Sequence, residues 1–259
     1  MAHFNAQEIS RLVGKDITLI ESPEPRAALH DFERRLAGDR IAAARAVGKH
    51  HLLEFDSGRI LHSHLRMSGR WRVFAPGRRV PRAGLWLALH TPDGTAALHR
   101  CPSVRLLESG ESLPGPVRAL GPDLLADEVD PARATAVALA HADQNREVGD
   151  ALLDQRLISG IGNAYKAEAL FLARVSPWRP LADVSADEAE RIGRMASELL
   201  ADGVRRRGRI QPYLTPSGRM GTWVHRRAGK PCRECGAPIR SRGQGDENRT
   251  AYWCPACQG

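Results

Sequence analysis

Hydrophobic and polar positions change their rhythm once along this chain. Up to residue 120 the apolar residues come in short, partly alternating runs, at 16–20, 51–55, 59–65, 71–74, 85–89 and 96–99, parted by Gly, Pro or Asp-Ser-Gly turns. Runs of that length and spacing predict the strands of a β-sandwich or barrel. Residues 7–13 have helical spacing and open this part, and 27–36 predicts a second helix among the strands. Residues 114–122, where Pro and Gly recur without periodicity, read as a linker. From residue 131 the spacing becomes helical, over 131–140, 148–157, 164–173 and 186–206. Asp130 and Ser185 stand where N-terminal caps belong, and Ser185 with Glu188 fits a capping box. Residues 207–222 are irregular and rich in Gly, Pro, Ser and Arg, which makes them a second connection.

The end of the chain carries the most specific chemistry. It reads Cys232-Arg-Glu-Cys235, eighteen residues, then Cys254-Pro-Ala-Cys257. Two CxxC pairs at this separation are the ligand set expected for one tetrahedral structural zinc. The stretch between them has room for a β-hairpin, with strand-forming Thr250-Ala-Tyr-Trp253 just before the second pair. A pair of disulfides or a redox dithiol is the alternative. Neither a signal peptide nor a long apolar run points to an oxidising compartment, so zinc is expected. Cys101, the fifth cysteine, has no partner in the pattern and reads as a plain thiol.

Composition sharpens the choice of partner. Hydrophobic residues make up 42%, ordinary for a water-soluble globular chain, and no run approaches a membrane span. Lys plus Arg number 38 against 30 acids, a net +8 in which lysine supplies only positions 15, 49, 166 and 230. Arginine binds phosphate bidentately and stacks on bases, so nucleic acid is the leading partner. A coding bias towards Arg and Ala is the bland alternative. Positive charge gathers at 66–82, 204–209, 219–230 and 233–249, a clustering that suits a binding face.

Three separated motifs then converge. Leu152-Leu-Asp-Gln-Arg-Leu-Ile-Ser-Gly-Ile-Gly-Asn-Ala-Tyr-Lys-Ala-Glu-Ala-Leu-Phe171 resembles the helix–two-turn–helix of the Fpg/Nei (formamidopyrimidine-DNA glycosylase and endonuclease VIII) family. Val224 through Gln258 resembles that family's zinc-finger hairpin, and Gly48-Lys49-His-His-Leu-Leu and His64-Leu-Arg-Met67-Ser-Gly69 look like its two N-terminal signatures, closer to the endonuclease VIII-like branch. The resemblance implies an α+β chain: an N-terminal β-sandwich (1–118), a helix–two-turn–helix domain (123–210) and a zinc finger (222–259). It implies a base-excision DNA glycosylase with AP-lyase (β/δ-elimination) activity on oxidised bases flipped out of duplex DNA. It also implies a cytoplasmic, nucleoid-associated monomer of bacterial type with one structural Zn2+ on Cys232, Cys235, Cys254 and Cys257. The partner would be double-stranded DNA holding oxidised bases or abasic sites.

Residue roles carry over position by position. Asn163, with the amides of Gly160 and Gly162, would grip a phosphate at a helix N-terminus, or else cap that helix. Arg249 would clamp phosphates beside the flipped nucleotide and assist elimination, or else be a solvated arginine. Met67 would wedge into the gap in the duplex, or else pack in a core. Lys49 would contact phosphate or assist β-elimination, or else be solvated.

One signature departs from the pattern. Members of the family begin with Pro-Glu, the secondary amine attacking the sugar C1′ and the glutamate handling protons. Residues 1–10 read Met-Ala-His-Phe-Asn-Ala-Gln-Glu-Ile-Ser, short of the family's first helix by about two turns. The expectation is that the true start lies upstream. Alternatively the nucleophile has been lost, leaving a non-catalytic sensor of damaged or abasic DNA, or the amine of Ala2 or Lys49 acts as a weak substitute. A further function from another class, an RNA- or tRNA-binding zinc protein, is disfavoured by the helix–two-turn–helix match.

Overall fold

The alternating runs of the first part pair into two four-stranded antiparallel sheets in the computed structural model, which describes residues 2–66, 68–101, 103–214, 218 and 220–259. One sheet has the order β1 (Leu19–Glu21), β6 (Leu85–Thr91), β7 (Gly94–His99), β5 (Arg70–Phe74). The other has the order β2 (Ile41–Val47), β3 (His50–Phe55), β4 (Ile60–His64), β8 (Ser103–Leu107). Leu53, Phe55, Leu61 and Leu106 from one sheet meet Trp71, Leu87, Leu89 and Leu98 from the other in a shared buried core. This is the expected sandwich, each strand turning alternate residues inward.

Helix α1 (Ala2–Ser10) buries Ala2, Asn5, Ala6 and Ile9, the i, i+3, i+4, i+7 stripe of a helix laid on a core. It begins and ends earlier than the periodicity over 7–13 predicts. The helix expected over 27–36 is two single turns, α2 (Pro25–Ala28) and α3 (Phe32–Arg35), because Asp31 between them sits in the left-handed region at φ 49°. Strands β2 and β8 were not anticipated. β2 reads Ile-Ala-Ala-Ala-Arg-Ala-Val, and alanine carries no strand signal of its own. A single turn, α4 (Gly115–Arg118), lies within the expected linker.

The chain divides into two compact units, Met1–Arg118 and Ala119–Gly259. The second holds α5 (Pro131–Ala140), α6 (Val148–Ala151), α7 (Asn163–Leu172) and α8 (Ala186–Arg205). The caps are as expected: Asp130 Oδ1 accepts from the amides of Ala132 and Arg133 at 3.0 and 3.2 Å. Ser185 and Glu188 form a reciprocal capping box, with bonds of 2.9 and 3.2 Å. Ala189, Ile192, Gly193, Ala196, Leu199, Leu200 and Gly203 make the buried stripe of α8. Gly193 lets α5 close in, since a Cβ there would stand 2.3 Å from the Pro131 carbonyl oxygen. Helix α6 stops well short of 157, where Asp154 turns its carboxylate to Arg146, Arg156 and the Arg156 amide instead.

Two short strands, β9 (Tyr213–Leu214) and β10 (Met220–Gly221), precede the hairpin of β11 (Arg240–Gln244) and β12 (Arg249–Trp253). Ala167 and Phe171 of α7 share a buried cluster with Val224, Cys232, Ile239 and Cys254. The cysteine-bearing end is thus packed on the helical part through common apolar contacts. Among the described residues, no helix is long and apolar enough to cross a membrane.

Candidate nucleic-acid interface

The four cysteines converge, their Sγ atoms all within 4.8 Å of one another. Cys235 and Cys254 approach to 3.4 Å and Cys232 and Cys257 to 3.9 Å, and none is in a disulfide. Hydrogen bonding, first from the Ala237 backbone, pulls the Cys235 thiol down to about 7, while burial raises the Cys254 and Cys257 thiols. Four sulfur donors on two tight turns fit a tetrahedral metal. Cys101 stands apart, buried, its Sγ 3.2 Å from the Ser103 carbonyl oxygen.

A carboxylate invisible as a signal in the sequence locks this end to α7. Glu168, fully buried, accepts the backbone amides of Trp223, Val224 and His225 at 2.7, 3.0 and 2.8 Å. Burial raises its pKa while the three amides oppose the rise. At the last turn, Gln258 accepts the Cys254 amide at 2.9 Å and donates to the Val175 carbonyl at 2.9 Å. The Glu168 bonds and the Gln258–Val175 bond carry no spacing signature, since those partners lie far apart in sequence.

The turn before α7 places Gly160, Gly162 and Asn163 together. Gly160 adopts φ +99°, closed to most side chains, and its amide donates to Gln155 Oε1 at 3.1 Å. Gly162 is the N-cap of α7 in extended geometry, with no side chain capping the helix. Asn163 is the first helical residue and does not cap. Its Nδ2 donates to the Thr250 carbonyl at 2.8 Å, and its Oδ1 is buried with no hydrogen-bond partner among the described residues. That bond ties the N-terminus of α7 to β12, directly beside Arg249. Arg249 opens β12, about half-exposed, and pairs with Glu247 at 2.9 Å. An uncapped helix N-terminus beside an accessible guanidinium is able to hold an anion.

In the first unit, Lys49 lies in the turn between β2 and β3, half-buried, close enough to His50 and His64 to press their pKa values down. His50 and His62 meet at 2.8 Å, and His50 packs on His64 with ring centres 4.7 Å apart. Ala2 is only 7% exposed at the start of α1, so burial rather than an open surface surrounds the residue considered as a substitute nucleophile. Met67 lies outside the described residues.

Comparison with known proteins bears on this geometry. The formamidopyrimidine-DNA glycosylase N-terminal domain matches residues 3–104, and the H2TH domain of the same enzymes matches 120–212. A "Probable endonuclease 8 2" of Streptomyces coelicolor is 40% identical, the alignment covering 95% of this chain and 88% of the relative. The "DNA-(apurinic or apyrimidinic site) lyase Nei2" of Mycolicibacterium smegmatis is 35% identical over 99% of this chain and 96% of its own. The Lactococcus lactis Fpg solved with abasic-site DNA superposes with a TM-score of 0.79 over 98% of this chain and 97% of its own, at 24% identity. The chain therefore belongs to the Fpg/Nei family of DNA glycosylases.

Proposed function

We propose that this chain is a base-excision DNA glycosylase with AP-lyase activity, cutting oxidised bases from duplex DNA and opening the resulting abasic site. The observation that carries the reading is the bond from Asn163 to Thr250, which sets an uncapped helix N-terminus next to Arg249, on a chain matched almost end to end by endonuclease 8 relatives. In this reading Asn163 and the Gly162 amide hold a phosphate beside the lesion. The Gly160 amide joins them when it exchanges Gln155 for phosphate. Arg249 exchanges Glu247 for a second phosphate, a trade of one anion for another at a half-exposed site. Met67 is the wedge, and Lys49 a phosphate contact that assists elimination. Cys232, Cys235, Cys254 and Cys257 hold one zinc, whose contribution is to fix the hairpin. Residues 1–118, 123–210 and 222–259 act as the three working modules, in a monomer.

The same grip, Asn163 bound to Thr250 beside a half-exposed Arg249, would serve a second reading, a non-catalytic sensor of damaged or abasic DNA. Borohydride trapping on an abasic-site duplex, read together with strand cleavage, separates the two. A covalent adduct with cleavage supports the lyase reading, and within residues 1–259 the candidate amines, Ala2 and Lys49, should give at most a weak one. Tight abasic-selective binding with no adduct would favour the sensor. Asn163→Ala and Arg249→Ala should each weaken abasic-duplex binding by about tenfold or more relative to intact duplex, the usual worth of a charge-assisted contact. Unchanged preference in both variants would remove the site from either reading.

A further inference from the structure

Gln244 is the cross-strand partner of Arg249, the two residues facing each other across the last rung of the hairpin before its turn. Directly opposed residues in an antiparallel pair lie about 5 Å apart at Cα, so whatever fixes one fixes the other's backbone. Gln244 is fixed on every side and is 4% exposed. Its Nε2 donates to Glu147 Oε2 at 2.9 Å and to the Pro177 carbonyl at 2.8 Å. Its Oε1 accepts from Lys166 Nζ at 3.2 Å. Lys166 is on α7, one helical turn beyond Asn163, and is fully buried. The fit is close at this spot, since a Cβ on Gly149 would stand 2.5 Å from Gln244 Oε1.

A buried lysine is costly unless something holds it there. Burial pulls the Lys166 ammonium down to about 8, while Asp150 and Glu147 support the charge and Arg249 presses against it. The same ammonium is therefore held by one amide oxygen, and sits within the field of the guanidinium whose strand it supports. Nothing in the phosphate grip or the cysteine cluster uses this pair. Yet it ties α7, which opens with Asn163, to the strand rung that carries Arg249.

We propose that Gln244 and Lys166 are positioning residues for DNA recognition: a buried strut that sets Arg249 against the N-terminus of α7. This rests on the reading of Arg249 as a phosphate clamp. The pair touches no DNA itself, and its effect is passed through the backbone of the hairpin.

The test is a set of linked variants, measured with zinc-loaded full-length protein by fluorescence anisotropy. The quantity is the ratio of affinities for a duplex holding a tetrahydrofuran abasic analogue and for the intact duplex. Gln244→Met and Lys166→Met should each lower that ratio by about tenfold, in the range of coupled contacts, and the double variant should lose no more than either alone. In an Arg249→Ala background, which lowers the ratio by itself, neither substitution should lower it further. Should Lys166→Met fail to load zinc, Gln244→Met carries the test alone. Losses that add to that of Arg249→Ala would overturn the strut while leaving Arg249 its role. A fall in affinity for both duplexes with the ratio unchanged would also overturn it, as the mark of a merely structural residue. An unchanged ratio in Arg249→Ala itself would sink the clamp reading, and the strut with it.

Discussion

At the scale of single residues, buried polar side chains hold the working parts of the second unit in place. Glu168 is the plainest case, one carboxylate meeting three consecutive backbone amides. Glu168→Gln should keep the two bonds to Oε1 and turn an amide N–H towards the Trp223 amide, donor against donor. The expected cost is about 2–3 kcal/mol, that of an unsatisfied buried donor plus a lost charged bond. Thermal unfolding and the rate of zinc release to a chelator would show it, and a melting curve like that of the parent would refute it. Glu168 was unreadable beforehand because it occupies an ordinary position in Ala-Glu-Ala-Leu-Phe of α7, and its partners come more than fifty residues later. Asn163 was singled out in the sequence, but its bond to Thr250 was not, for the same reason of distance along the chain.

At the scale of elements, β3 and β4 carry an acid-sensitive seam. Burial, more than any other influence, holds His50 and His62 at about 4 and His51 at about 3. Lys49 and His64 face His50, Arg105 and His64 face His62, and Asn5 of α1 meets His51, so among the described residues no carboxylate acts on these rings to stabilise a proton. These imidazoles are neutral in the folded chain and free to protonate near 6.5 once it unfolds. Their folded values are depressed, so the stability they contribute is complete above about pH 6.5 and is lost as pH falls towards 4. His51, the most deeply buried, alone should give a slope of up to about 1.4 kcal/mol per pH unit in that window. Urea unfolding at pH 7.5, 6 and 5 measures it, and His51→Leu should flatten the dependence. A midpoint that does not move between pH 7.5 and 5 would contradict the burial argument. The capping box of α8 is a second element-scale feature, legible in sequence because both partners lie within one helical turn. Ser185→Ala should cost about 1 kcal/mol, seen as a lower melting temperature.

At the scale of the whole molecule, the charge of +8 predicts salt-sensitive binding to DNA, because each neutralised phosphate releases counterions. The log–log slope of affinity against salt should be steeply negative, and Arg249→Ala should make it shallower by about one. A slope near zero would exclude phosphate contacts as the main source of affinity. Much of the architecture was determined by local signals. Alternation gave away most strands of the sandwich, since residues two apart share a face whatever they pack against. Helix caps marked α5 and α8 because a cap is satisfied within a few residues, and the two CxxC pairs announced the cysteine cluster because each turn is built by its own four residues. Only the tertiary structure decided the rest. β2 becomes a strand because β3 pairs with it and Ile41 and Ala44 reach the core, and the 27–36 stretch breaks in two at Asp31, whose geometry is left-handed, just before the buried Phe32. It also decided that Asn163 binds Thr250 and that Gln244 rests on Lys166, contacts spanning 87 and 78 residues of chain. Local sequence encodes what a residue does with its near neighbours; these bonds exist only because the helical core and the hairpin core are built against each other.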